Sequence, residues 1–368
     1  MNLIILRTNL LDGLSSVERA VGENTNLPIL KNILIKTRDN KIEFISTNLE
    51  LAVEASVSGK IIEKGEVTVP FSIFNSTIKN LNTERIILEE KGKKLTVKTD
   101  NYEAIMQIHN PKEFPIIPSI SNENHSIKIN TKDLKEAIGS VIIAAQYSDI
   151  RPEISGVFMN FSDGALTFAA TDGFRLSERK LNQKQTKTDI EDFSVIIPLK
   201  TATEVMRMFN KDEEVEIFID PNQIMFRAQT EKVISRLIDG TFPDYQSVIP
   251  KQIQNEVSAE RNELVNALKL ASGFSGRAND VTIKIGDGNK FLEIYSSDNA
   301  LGENCYKVPV KTKGEKFSLV FNWRYVLDGL KIYKSPEITI GVNSSDKPVV
   351  IKSSNEPGLT YVAMPIKS

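Results

Sequence analysis

Apolar and polar residues alternate in three stretches that each double back around a turn. They are "ILIKTRDNKIEFIS" (Ile33 to Ser46), "VFMNFSDGALTFAA" (Val157 to Ala170) and "VTIKIGDGNKFLEIYS" (Val281 to Ser296). Period-2 alternation places one face of a strand on a core. Asp39-Asn40, Asp163-Gly164 and Asp287-Gly288 are pairs that tolerate positive φ, which predicts three β-hairpins. The turns lie 124 and 124 residues apart. A segment with i, i+3, i+4, i+7 apolar spacing precedes each hairpin and predicts a helix: "NLLDGLSSVERAV" from Asn9, "TKDLKEAIGSVIIAA" from Thr131 and "ERNELVNALKLAS" from Glu260. A strand running into a second helix follows each: "VTVPFSIFNSTIKNL", "SVIIPLKTATEVMRMF" and "FSLVFNWRYVLDGLKI". Pro70 and Pro198 hold matching places there, and Phe321 takes the third. A late hairpin comes next in all three cases, starting at Arg85, Glu214 and Glu337.

The pattern is therefore a threefold internal repeat of domain-sized units, each of about eight strands and two helices. Strand, helix and strands succeed one another twice within each unit, so each is itself a pseudo-duplicate. Two helices against a mostly antiparallel sheet make an α+β architecture. The expected domains are 1–121, 122–250 and 251–368. Copies one and two close on "FPIIPSI" from Phe114 and "FPDYQSVIP" from Phe242. These joints, 114–126 and 242–256, are short and proline-bearing, which favours a fixed arc over beads on a string. One further landmark repeats. "ATDGFRLSERKL" (170–181) has fainter copies in "STNLELAVE" from Ser46 and "SSDNALGEN" from Ser296.

Composition adds exclusions. The chain has 368 residues, 40% hydrophobic and 26% charged, with net charge −2. It is not a generally basic nucleic-acid binder, although a basic patch on an acidic body remains open. One cysteine, Cys305, cannot form an intramolecular disulfide, and a reducing, cytoplasmic setting is expected. The start "MNLIILRTNLLDG" does not read as a signal peptide, and no apolar run is long enough to span a membrane. The two histidines, His109 and His125, sit near the joints and lack metal-ligand spacing. No GxxxxGK[ST], HExxH or GxSxG motif occurs; "SGFSG" at 272–276 fails the spacing. Asp172 and Asp298 read as turn formers. No enzyme, cofactor or metal is expected. The rival readings are an acid-pair enzyme of unrecognised type and a scaffold that binds only protein.

Taken together, "ATDGFRLS", "FPDYQSVIP", the terminal "YVAMPIKS" and "NLPILKNILI" (Asn26 to Ile35) resemble the bacterial DNA polymerase III beta subunit family, over essentially Met1 to Ser368. The resemblance implies a DNA processivity factor. Two three-domain chains would join head to tail as a homodimeric ring around duplex DNA, bound without regard to sequence, inside the cell on the nucleoid. Further implied partners are the DNA polymerase III alpha subunit, the clamp loader and other clamp-binding replication and repair proteins. These would insert a short peptide into a hydrophobic pocket. Carried over residue by residue, the pocket comprises Ile154, Thr171, Gly173, Phe174, Arg175, Leu176, Pro243, Ser247, Val248, Pro348, Val362, Ala363, Met364, Pro365 and Ile366. The extended terminus, with unpaired backbone groups, would suit an incoming extended peptide. The echoes in copies one and three carry Leu49 and Asn299 in place of Gly173, so copy two alone is expected to build a pocket.

DNA contact would fall to second-helix charges. Lys200, Arg207 and Lys211 are spaced i, i+7, i+11, with Ala202, Val205, Met206 and Phe209 on the other face. Arg324 and Lys331 repeat the pattern, and Lys79 is the counterpart in copy one. Arg151 is a further candidate. The dimer interface would pair Ala104, Ile105, Met106 and Ile108 with a region around Leu268, Leu270, Asp298 and Glu303. The sequence departs from the family pattern at Phe174, Asn24, Pro152, Glu153, Ser148 and the "IKS" ending, which bears more on DNA contacts than on the pocket.

Overall fold

The structure is a computed structural model that describes residues 1–22, 26–121 and 123–367; Asn24 and the final Ser368 lie outside the described residues. Helices α1 (Arg7–Val17), α2 (Phe71–Asn80), α3 (Thr131–Ile142), α4 (Leu199–Arg207), α5 (Arg261–Ser272) and α6 (Trp323–Lys331) fall where the apolar spacing places them. The three predicted hairpins form as well. Asp39 and Asn40 take φ +46° and +61°, and Asp163 and Gly164 take +51° and +73°, the left-handed pair that a two-residue hairpin loop requires. The third turn is wider, with Gly288 and Asn289 at +72° and +56°.

Strands assemble into three antiparallel sheets. Five strands from copy one form the first, with Glu103–Gln107 at its edge. In the nine-stranded second sheet, Leu51–Val57 of copy one pairs with Glu231–Arg236 of copy two, Val53 opposite Val233. The twelve-stranded third sheet repeats that junction one copy later. Arg175–Leu181 pairs with Leu359–Ala363, placing Leu176 opposite Val362. Backbone pairing, more than proline content, thus stiffens the joints, because each junction strand satisfies the hydrogen-bonding edge of its neighbour.

Two compact units result: residues 1–132, 187–190 and 203–237, and residues 133–186, 191–202 and 238–368. Sheet continuity makes them cut through the central repeat. In the second unit, α5 and α6 pack against one face around Leu264, Leu268, Leu330, Tyr333 and Tyr361, all buried. Tyr361 donates its hydroxyl to the Tyr325 carbonyl on α6 at 2.7 Å. Its ring lies directly over Gly329, where a Cβ would come within 2.3 Å of Tyr361 Cε1. Gly329→Ala should therefore overpack this contact and lower stability by about 1–3 kcal/mol, read as a lower urea midpoint at unchanged slope.

Candidate partner-binding cleft

Strand Ala165–Thr171 enters strand Arg175–Leu181 through a turn built by its own side chains. Asp172 Oδ1 accepts the N–H groups of Phe174 and Arg175 at 2.9 and 3.0 Å. Thr171 Oγ1 accepts the Gly173 N–H at 3.0 Å and donates to the Arg175 carbonyl at 2.7 Å. Gly173 stands at φ +89°, a conformation that favours glycine. Arg175 is anchored beneath. Its Nε donates to Asp172 Oδ2 at 2.9 Å, its Nη1 to Asp328 Oδ2 on α6 at 2.8 Å, and its guanidinium lies 4.5 Å over the Tyr325 ring. Phe174 is left 62% exposed.

Two further walls stand against this turn. The C-terminal segment supplies one: Met364 N–H donates to the Phe174 carbonyl at 2.8 Å, and Ile366 N–H to the Val320 carbonyl at 2.7 Å. Those backbone groups are already paired, contrary to the expectation that they wait for an incoming peptide. The other wall runs from Pro243 into a 3-10 turn at Gln246–Val248. Phe242 stacks on Phe158 with centroids 4.7 Å apart, and Tyr245 meets Phe158 edge-on at 6.1 Å. Tyr245 donates to Glu178 at 2.9 Å. Burial, then the Glu178 charge, pushes the Tyr245 hydroxyl pKa well above its ordinary value, so it stays a donor.

Between these walls lies a cleft of about 570 Å³. Of the expected pocket residues, Thr171, Gly173, Phe174, Arg175, Leu176, Pro243, Ser247, Val248, Pro348, Val362 and Met364 line it. Leu176 and Val362 form the floor, 3% and 1% exposed, and continue into a buried cluster with Ala169, Ile196 and Val350. Ile154, Ala363 and Pro365 are buried away from the cleft, and Ile366 has passed beyond it onto strand Ser318–Asn322. A residue next to a lining residue on a strand faces the opposite side of the sheet, which explains the loss of Ala363. Sequence reasoning missed Asp244, Tyr245, Pro250, Asn343 and Lys347, and it assigned Arg151 to DNA although Arg151 lines this cleft. Asp244, Tyr245 and Pro250 belong to the "FPDYQSVIP" motif; nothing local marked Asn343 or Lys347.

The basic candidates are dispersed. Lys200, Arg207, Arg324 and Lys331 are exposed on α4 and α6, and Lys79 lies in the last turn of α2. Lys211 is not on α4: the helix ends at Arg207, and Phe209 turns left-handed at φ +48°. Met206 is half-buried, whereas Ala202, Val205 and Phe209 are fully buried as expected. Arg207 pairs with Glu204 at 3.2 Å, Arg151 with Glu153 at 3.1 Å and Lys79 with Glu18 at 3.8 Å. Among the interface candidates, Ile105 and Leu270 are 58% and 52% exposed. Ala104 and Ile108 are half-buried. Met106, on a strand, and Leu268, on α5, are core residues at 7% and 1% exposure and cannot offer a free surface. Asp298 caps a turn by accepting from Ala300 and Leu301, and Glu303 accepts from the Tyr295 hydroxyl. Among the described residues no acidic, histidine or cysteine cluster could hold a metal, and no helix is long and apolar enough to cross a membrane.

Models of the DNA polymerase III beta subunit match in chain order: the N-terminal domain over 1–118, the central domain over 128–244 and the C-terminal domain over 246–367. The chain belongs to this family. Among similar curated proteins, the beta sliding clamp of Bacillus subtilis strain 168 is 28% identical over 384 residues, covering all of both chains. That of Staphylococcus epidermidis strain ATCC 12228 is 27% identical over 379 residues, again covering all of both. The crystal structure of the Bacillus subtilis DNA polymerase sliding clamp superposes with TM-score 0.94 at 26% identity, over 100% of this chain and 99% of that one. A Pseudomonas aeruginosa clamp bound to griselimycin gives TM-score 0.93 at 25% identity, covering all of both. The chain's role is that of the family, a processivity factor of DNA polymerase III without catalysis of its own.

Arg175 holds the cleft turn to α6, so its loss should be felt in stability. Arg175→Met leaves the Asp172 carboxylate, whose side chain is 2% exposed, without a cation. A loss of about 3 kcal/mol is expected in denaturant unfolding. Arg175→Lys should recover little of it, because an ammonium cannot serve two carboxylates and stack on Tyr325 together.

Proposed function

We propose that the chain forms a head-to-tail homodimeric ring around duplex DNA and tethers the replicative polymerase through a peptide seated in the Arg175 cleft. One observation carries the ring. The strand after the repeated turn in copy one, Leu51–Val57, pairs with the last strand of copy two; the same strand in copy two, Arg175–Leu181, pairs with the last strand of copy three. In copy three the equivalent segment, Gly302–Pro309, pairs with Phe291–Asp298 on one side, and its other edge has no strand among the described residues. The equivalent last strand of copy one, Glu103–Gln107, is likewise an edge. A second chain that repeats the internal junction would join these two edges. Two such joints close the assembly, since a heterologous contact either closes or propagates.

Met364, Phe174 and Val248 give the Arg175 cleft an adaptable apolar rim, which suits one or two apolar side chains of a short linear motif. The polymerase alpha subunit, the clamp loader and repair proteins are the proposed carriers of that motif. On this reading DNA is held by enclosure, with Lys200, Arg207, Arg324, Lys331, Lys79 and Lys211 offering diffuse phosphate attraction.

Sedimentation should give twice the 41.1 kDa chain mass at micromolar concentration. Ile105→Arg, at a 58% exposed edge position, should give a folded monomer; a dimer that survives it, or a wild-type monomer, contradicts the ring. Met364→Ala should weaken a polymerase-derived peptide about tenfold with unfolding unchanged. Leu176→Ala is a poorer probe, because emptying that buried floor costs about 2–5 kcal/mol of stability.

A further inference from the structure

The turn that shapes the Arg175 cleft occurs a second time in copy one, where it borders another cleft. Thr47 and Asn48 repeat the hydrogen bonds that Thr171 and Asp172 make to the backbone of the turn. Thr47 Oγ1 accepts the Leu49 N–H at 3.0 Å and donates to the Leu51 carbonyl at 3.0 Å. Asn48 Oδ1 accepts the N–H groups of Glu50 and Leu51 at 3.0 and 2.8 Å. Leu49 stands at φ +77°, where copy two has Gly173 at +89°. The expectation that copy two alone builds a cleft, because Leu49 replaces glycine, is therefore overturned. The backbone adopts the same turn without glycine.

The floor is equivalent too. Ala52 faces Ile234 across the junction, as Leu176 faces Val362, and both cap a buried cluster with Ile120, Phe218 and Met225. Pro115 and Ile116 occupy the wall where copy two has Pro243 and Asp244, and the enclosed volume is about 620 Å³. The whole cleft lies within the first compact unit.

Its chemistry differs in two respects. A leucine held left-handed costs on the order of 1–2 kcal/mol, yet Leu49 is 49% exposed and fills no core. Ile116 is 93% exposed on the opposite wall. Two large apolar side chains thus flank the groove at positions where packing asks for neither. Charge is the second difference. The Arg175 cleft is lined by Lys347 and by Arg151 and Arg175, which are paired with Glu153 and with Asp172 and Asp328, against Asp244; this one is lined by Glu50 and Asp220 against Arg236. Asp220 takes hydrogen bonds from the Ser121 N–H and hydroxyl and from Gln223, all neutral donors, so its negative charge is not cancelled. Burial opposes that charge, but these bonds outweigh it and hold the carboxyl below its ordinary pKa.

We propose that the Leu49–Ile116 cleft is a second docking site, for an extended peptide whose apolar pair is flanked by basic residues. The two clefts of one chain would then sort clients by the sign of the charge beside the anchor. The proposal takes its ligand class from the reading of the Arg175 cleft as a peptide site.

Two fluorescein-labelled peptides test it by polarisation against the full-length chain. Each has a central Leu-Phe pair, flanked by lysines in one and by glutamates in the other. The lysine peptide should lose about fivefold or more in affinity in Ile116→Ser and in Glu50→Lys, and be unchanged in Met364→Ala. Both substituted positions are exposed, so folding is not at stake. The glutamate peptide should respond only to Met364→Ala. Lysine-peptide binding that ignores Ile116→Ser, or that is lost in Met364→Ala, overturns the second site. So does a change of sedimentation mass in Ile116→Ser, which would mean that a second copy of the chain covers the groove. A glutamate peptide indifferent to Met364→Ala would instead count against the first cleft.

Discussion

Strand Arg175–Leu181 has two neighbours, its own hairpin partner and the last strand of the chain, Leu359–Ala363. Much of what the second unit does depends on that second pairing. It joins four strands of copy two to those of copy three in one sheet and brings Leu176 beside Val362 as a shared floor. It also sets the turn at Asp172 and Gly173 against the Met364 backbone. Arg175, the first residue of the strand, ties the same place to α6 through Asp328 and Tyr325. A cleft made this way has walls that are each held by backbone or buried side-chain hydrogen bonds, so it is preformed and a ligand need not order it.

Repetition of one turn gives different results because the strand after each copy of it finds a different neighbour. Asn48, Asp172 and Asp298 each accept the backbone N–H groups two and three residues ahead. In copies one and two the next residue is left-handed and the strand beyond it meets the succeeding copy. Copy three differs. There the left-handed residue is Gly302, and the strand it opens, Gly302–Lys313, pairs with Phe291–Asp298 along its first part and with Asn255–Glu260 along its last. The same local chemistry therefore borders a cleft in the two copies whose following strand meets the last strand of the succeeding copy.

The α+β class, the six helices and the three hairpins were legible in the sequence because each rests on local rules, 3.6-residue and 2-residue periodicity and turn pairs of Asp with Asn or Gly that tolerate positive φ. Lys211 was misplaced by the same periodicity, which cannot see Phe209 break α4 at positive φ. Cleft residues were legible where a motif carried them, as in Thr171 to Leu176. Lys347 and Asn343 arrive from a distant hairpin loop, and only tertiary pairing places them there. Met106 and Leu268 show the opposite error: apolar residues near an expected interface proved to be core. The copy-one cleft is not legible from Leu49, because Thr47 and Asn48 impose on leucine a left-handed turn that glycine ordinarily makes.

The central claim is that the grip on DNA is one of enclosure. Retention on plasmid tests it most directly. The chain is loaded by a clamp loader onto a nicked circle, isolated by gel filtration, and the circle is then cut once. The account predicts that the protein stays with the circle at salt concentrations that abolish ordinary phosphate binding and runs off the linear form. Equal retention on circular and linear DNA, or loss from both as salt rises, would contradict it.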